Sequence, residues 1–428
     1  MSTEKKTYVL PIIMMIALFG MISFVTGLQN PMGIIVKDQF NASNFMSQLG
    51  NAANFIAYAF MGYPAGLLLQ KIGYKKTALT AIAVGFVGVG IQFLSGQAGS
   101  FNIYLLGAFV AGFSMCMLNA VVNPMLNTLA GGGNKGNQLI QVGGSFNSLM
   151  ATIVPVLVGY LIGDAAQASI KDANPALFIA MGIFALAFII LFFVNIPEPR
   201  LKKEVATTEK PTHSALSFRH FVLGAIAIFV YVGVEVGVPN ITNLFMTEAA
   251  NDGGLGIDTT TAGTVVGTYW LLMLIGRLIG AAIGAKVSSK AMLSLTSTLG
   301  LAFVFLAIFL PIKDNLVSMP VFRSDISFGM ASVPVNVLLL ILCGLCTSIM
   351  WGGIFNLAVE GLGKYTETAS GIFMVMVCGG GILPLIQGAV ADKLGFLSSY
   401  WVIIIGLAYL LYYALIGSKN VNKDIPVD

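Results

Sequence analysis

Twelve runs in this 428-residue chain are each apolar over about the 20 residues a helix needs to cross the hydrocarbon core of a bilayer. They lie at roughly 8–36, 47–70, 77–95, 101–129, 138–163, 176–196, 219–247, 260–285, 291–311, 334–362, 369–391 and 398–417. In hydrocarbon every backbone N–H and C=O must be satisfied internally, so each run is expected to be a helix. The chain is therefore expected to be an all-α, multi-pass protein embedded in the lipid bilayer. Composition agrees, with 9% charged residues against about 25% in soluble domains and a mean hydropathy of +0.88.

Such sparse polarity excludes most chemistry. The only histidines, His213 and His220, and four cysteines confined to apolar runs make no metal set. Cys343 and Cys346, at helical spacing inside a span, read as small packing residues. No nucleophile constellation, cofactor loop or basic run occurs. The chain is expected to be no enzyme, to carry no cofactor or metal, and to bind no nucleic acid. Met1-Ser-Thr-Glu-Lys-Lys enters the first run without a small-residue cleavage site, as for a retained helix.

Lysine and arginine set the orientation. With the N-terminus in the cytoplasm, sixteen fall inside and five outside, while Arg277 sits within the eighth span. Both termini are thus expected to be cytoplasmic, in a plasma (inner) membrane. The most charged connection, PEPRLKKEVATTEKPTHSALSF, divides the spans six and six. Residues 1–196 are expected to form one half, 197–218 a cytoplasmic linker and 219–428 the other half.

The halves echo each other. GLLLQKIGYKKTAL (66–79) after span 2 matches GAAIGAKVSSKAML (280–293) after span 8. Asn123-Pro-Met-Leu-Asn127 matches Asn356-Leu-Ala-Val-Glu360, and Pro155-Val-Leu-Val-Gly159 matches Pro384-Leu-Ile-Gln-Gly388. Three echoes in the same order indicate six helices duplicated in parallel.

These residues resemble the major facilitator superfamily. Gly66-x-x-x-Gln70-Lys71-x-Gly73-Tyr74-Lys75-Lys76 is similar to its signature loop between helices 2 and 3, and Gly276-Arg277-x-x-Gly280 to the counterpart at helix 8. NPMLNTL, GGSFNSLMA, YVGVEVG, IFNLAVEGLGKYTETASG and CGGGILPLIQGAVADKLG together resemble the fucose:proton symporter family of sugar permeases. The resemblance implies two six-helix halves related by a pseudo-two-fold along the membrane normal. It also implies a sugar transporter whose cavity is lined by helices 1, 4, 7 and 10. Where the fucose symporter has acidic residues in helices 1 and 4, this chain has Asn30 and Asn119, amides that cannot titrate. Tyr231-Val-Gly-Val-Glu235 resembles the glucose/galactose members, which implies a coupling or sugar-binding role for Glu235.

Polar residues inside these spans are the candidate site. A carboxamide facing lipid costs a few kcal/mol, so Gln29 and Asn30 are expected to face either a wet cavity or a partner helix. Amides donate and accept together, as sugar hydroxyls do, and tryptophan offers a flat apolar face to a pyranose. The expected sugar ligands are Gln29, Asn30, Asn119, Asn123, Gln141, Asn147, Glu235, Asn240, Trp351 and Asn356. Asn123 could instead satisfy the carbonyl freed by Pro124. Gln48, Asn51 and Asn54 share one face of helix 2. Glu235 is also the candidate cation-coupling residue, since an acid at bilayer depth costs about 2.5–3.5 kcal/mol without a partner. Gly66, Lys71, Gly73, Lys75, Lys76 and Arg277 are expected to gate, with the lysines pairing between the halves.

The expected function is alternating-access transport of a neutral hexose, because few fixed cations are available to clamp a phosphate. Coupling to sodium or to protons, uncoupled uniport, and a non-transporting membrane sugar sensor all remain open on sequence. The protein is expected to be a monomer.

Overall fold

The computed structural model describes residues 8–129, 133–162, 168–196, 198, 213–283, 287–312, 315–323, 327–362, 365–422 and 424–427. Among the described residues, twelve membrane-length helices stand where the apolar runs predict them. They are α1 (Val9–Gln39), α2 (Leu49–Leu69), α3 (Lys71–Ala98), α4 (Phe101–Leu129), α5 (Gly133–Ile162) and α6 (Asn174–Phe193). The second six are α7 (Arg219–Thr247), α8 (Thr259–Ile283), α9 (Ser289–Phe309), α10 (Val335–Val359), α11 (Thr366–Met376 continuing as Gly379–Leu394) and α12 (Phe396–Gly417).

Within the first six, α1 packs on α5, and α2 and α3 pack on α4; within the second, α7 packs on α11 and α9 on α10. The halves meet where α5 faces α8 and α2 faces α11. The α2–α11 contact depends on the run Gly379-Gly380-Gly381. A Cβ at Gly379 would lie 1.9 Å from the Phe229 carbonyl oxygen of α7, and one at Gly381 would lie 2.8 Å from Ala52 of α2. Only bare backbone lets α11 wedge between the two helices.

Prolines inside two helices free carbonyls that other helices then use. Pro384 has no N–H for the Gly380 carbonyl one turn earlier, and the Asn51 amide of α2 donates to that oxygen at 2.9 Å. Pro239 does the same to the Glu235 carbonyl, which accepts the Tyr269 hydroxyl of α8 at 3.1 Å. In lipid such a freed group needs a partner, so each proline fixes an interhelical contact.

Further polar contacts close one end of the bundle, where α1 gives way to α2. A one-turn helix, Asn44–Ser47, lies there against α11. The Asp392 carboxylate accepts from the backbone N–H groups of Asn44 (2.7 Å) and Phe45 (2.9 Å), and Lys37 pairs with Glu248 at the end of α7. Asn240 of α7 donates to Gln48 at 3.2 Å. All of these cross between the halves.

Between α9 and α10, where the sequence suggests only a longer loop, the chain makes a hairpin of β1 (Leu316–Phe322) and β2 (Phe328–Pro334), with Ser318 opposite Ser332. Met319, Val321, Ala331 and Val333 turn inward. With alternation this short and Pro320 in the first strand, the sequence pattern did not reveal the pairing.

Candidate functional site

One carboxylate of α7 and one guanidinium of α8 meet inside the bundle. Glu235 and Arg277 form an ion pair at 3.5 Å, with side-chain exposures of 14% and 17%. Arg277 also donates through Nη1 to the Gly144 carbonyl (2.8 Å) and the Ser148 hydroxyl (2.6 Å), both on α5 of the other half. One guanidinium thus touches a carboxylate of its own half and the backbone of the opposite half. Its planar fork suits this role, presenting several N–H groups at fixed angles.

Tyrosines frame the pair. Tyr231, one turn before Glu235 on the same face of α7, is fully buried, with its hydroxyl facing both Glu235 and Arg277 but aligned in a hydrogen bond with neither. Tyr269 bridges the freed Glu235 carbonyl and the Thr347 hydroxyl of α10, the latter at 3.0 Å. Trp351 of α10 lies with its ring centroid 6.2 Å from that of Tyr231, tilted by 57°, and is half-buried. Trp270 packs edge-on against Tyr269.

The first half presents amides instead of charges. On α4, Asn119 donates to the Tyr58 hydroxyl (2.9 Å) and to the Met115 carbonyl (3.1 Å), and Asn123 donates to the Asn119 carbonyl (3.0 Å). Among the described contacts it is this carbonyl, and not the Ala120 carbonyl that Pro124 frees, that Asn123 serves. Both asparagines are half-buried. Among the described residues nothing donates to the Asn119 Oδ1, which leaves an acceptor for a ligand.

Other expected ligands sit elsewhere. Gln29 is buried within the first half, its Oε1 accepting the Tyr104 hydroxyl at 2.9 Å. Asn147 donates to the Phe19 carbonyl of α1 at 2.9 Å, joining α5 to α1. Asn240 belongs to the closed end of the bundle, opposite Gln48. Asn356 is exposed on α10. The side chains of Asn30 and Gln141 lie outside the described residues. The structure thus brings Glu235 and Arg277 together, with Trp351 reaching them only through Tyr231, and separately Asn119 with Asn123.

The expected gating loop also differs. Gly73 turns between α2 and α3 with φ +82°, a conformation that favours glycine. A Cβ there would lie 2.7 Å from a Glu198 carboxylate oxygen. That carboxylate accepts from the N–H groups of Tyr74 (2.7 Å) and Lys75 (3.0 Å), and the Lys75 ammonium donates to the Phe192 carbonyl (2.9 Å). The contacts described for this loop clamp it to the end of α6 and to Glu198 just beyond it, at the start of the connection to the second half. Lys71 and Lys76 are exposed, and Gly66 has open space around its Cα. Residues 284–286 of the matching loop after α8 lie outside the described set.

Sequence reading passed over Tyr58, Tyr231, Tyr269 and Ser148. For Tyr231 a signal existed, since it stands four residues before Glu235 on one helical face. The family model described as Major Facilitator Superfamily matches residues 13–384. A "Glucose/galactose transporter" of Brucella abortus biovar 1 is 29% identical over 425 residues, covering 98% of this chain and 97% of that protein. An "L-fucose-proton symporter" of Escherichia coli is 21% identical, covering 92% of this chain and 89% of that one. The crystal structure of a major facilitator superfamily transporter, FucP, in the outward conformation superposes with a TM-score of 0.70 at 19% identity, covering 97% of this chain and all of that one.

Proposed function

The chain belongs to the major facilitator superfamily, and from that membership we propose that it is a proton-coupled symporter of neutral hexoses that works by alternating access. The relatives named for glucose/galactose and for fucose with protons support the substrate class. The halves that move are residues 1–196 and 219–428, joined by 197–218. Both termini face the cytoplasm, so the closed α1–α2 end faces outward.

The Glu235–Arg277 pair carries the reading. Arg277 is already engaged by Glu235, Gly144 and Ser148, so no free guanidinium remains there to clamp an anionic sugar. The half-buried Asn119 and Asn123 are suited to sugar hydroxyls, and the half-buried Trp351 ring, packed against the buried Tyr231, to the C–H face. Sugar binding therefore belongs chiefly to α4 on one side and to the Trp351 ring on the other.

Coupling belongs to Glu235. A proton neutralises the carboxylate without needing further ligands, whereas a sodium ion would have to sit beside the fixed Arg277 charge and gather oxygens around it. Protonation loosens Arg277 from α7 while its bonds to α5 remain. The two protonation states thus differ in how firmly the halves are tied, which is what a driving ion requires.

Purified protein in liposomes tests the reading directly. Counterflow of labelled glucose is expected to be competed by neutral hexoses and not by hexose phosphates, and an inward pH gradient is expected to drive accumulation. Accumulation that needs sodium and ignores pH would overturn the proton assignment, and no counterflow with any sugar would favour a sensor.

A further inference from the structure

A groove on the lipid-facing side of α11 crosses the seam between the halves. It encloses about 490 Å³ and is lined by Ile382, Ile386, Ala389, Lys393 and Leu394 among others, with Phe45 of the one-turn helix as its contribution from the first half. The α11 residues recur every three or four positions, so they form one face of that helix. From Ile382 to Lys393 the face runs about 17 Å, roughly the depth of one leaflet of a ~30 Å core. Its floor and walls are apolar, and Ile386 and Leu394 are 47% and 69% exposed. Its one cation, Lys393, stands at the end of the helix where lipid headgroups lie, and among the described residues it makes no ion pair.

Phe45 reaches the groove only because the bundle is closed at that end. Its N–H donates to Asp392, and a Cβ at Gly388 would lie 3.2 Å from the Phe45 Cα. The Phe45 backbone therefore rests on bare α11. Parting the halves would carry Phe45 away and remove that wall. An occupant of the groove binds the closed arrangement in preference, and by linkage stabilises it.

We propose that the groove takes one acyl chain of a phospholipid of the outer leaflet, with the lipid phosphate on Lys393, and that the bound lipid holds the transporter closed to the outside. The bilayer itself supplies the apolar occupant, and the phosphate complements Lys393, the cation of the groove's lining. The leaflet assignment rests on the orientation proposed above, but the groove, its occupant and its preference for the closed end do not.

Spin labels at Gln97→Cys and Ala250→Cys, both exposed positions at the closing end, report the separation of the halves, and the four native cysteines are buried. Purified protein in detergent is titrated with dioleoylphosphatidylglycerol. The short-distance population is expected to grow at least twofold with lipid. Lys393→Ala should raise the lipid concentration at midpoint about tenfold, and Ala389→Trp, which fills the groove, should abolish the response. Ile386→Ser, a milder change, should weaken it. Ala83→Trp, which fills a separate groove on α3 beside Lys76, should leave it unchanged. A distance distribution indifferent to lipid in the unmodified groove, or an undiminished response in both Ala389→Trp and Lys393→Ala, would overturn the proposal. Neither outcome depends on which sugar is carried or on the coupling ion.

Discussion

The two halves treat polarity inside the membrane differently. In α1, α4 and α5 carboxamides donate to backbone carbonyls or meet tyrosine hydroxyls, as Gln29, Asn119 and Asn147 do. In α7 and α8 a carboxylate and a guanidinium face each other, and the guanidinium reaches across to α5. Amides can exchange partners at little electrostatic cost, so the first half suits recognition of hydroxyl groups. A buried charge pair has only a few stable arrangements, so the second half suits switching. On the proposed reading, hydroxyl recognition belongs to the first half, and coupling to the second together with the Trp351 ring.

The sharpest way to break this division is to remove one charge. Arg277→Gln leaves Glu235 buried without its counter-ion, a change that costs about 3–5 kcal/mol in buried pairs. Transport should be lost and the melting temperature should fall by several degrees. The double variant Glu235→Gln/Arg277→Gln should recover most of the stability but not the accumulation. Equal melting temperatures for the single and double variants would mean that the pair is not a structural unit.

A smaller effect is expected on the recognition side. Asn119→Ala should weaken sugar binding by about 1–3 kcal/mol, the range for leaving a hydrogen-bonding partner unmet, with melting temperature nearly unchanged. Calorimetric titration of the purified protein separates the two. Normal affinity with lowered stability would move Asn119 from recognition to scaffold and erase the contrast between the halves.

The smallest effect concerns the loop that clamps α3 to α6. Gly73→Ala places a Cβ at positive φ and against the Glu198 carboxylate, strain of about 1–3 kcal/mol. The transport rate should fall several-fold while sugar affinity stays within about twofold. A change in affinity with no change in rate would place this loop in the binding machinery.

Much of this was legible in the residues, for reasons that differ by position. The twelve helices follow from apolar length alone, because hydrocarbon leaves the backbone no alternative. Glu235 stood out because an acid at that depth requires a partner, but its partner did not, since Arg277 reads equally well as part of a repeated loop motif. Only the three-dimensional packing of α7 against α8 distinguishes the two. Asn240 and Gln29 look the same as Asn119 in sequence. Whether an amide faces a cavity, a neighbouring helix or the opposite half depends on helix rotation, which the apolar pattern leaves loosely specified. The carbonyls freed by Pro239 and Pro384 could be foreseen; their partners, Tyr269 and Asn51, could not, because they come from helices remote in the chain.

The assignment of coupling to Glu235 is tested most directly by Glu235→Gln, which keeps the side chain's shape and its ability to hydrogen-bond but removes its charge. Counterflow needs no net proton movement, so proteoliposomes carrying this variant should still exchange labelled hexose at a rate within a few-fold of the unmodified protein. Accumulation of hexose against its gradient, driven by an inward pH gradient, should vanish. Retention of pH-driven accumulation by Glu235→Gln would contradict the account, because coupling would then reside in another group.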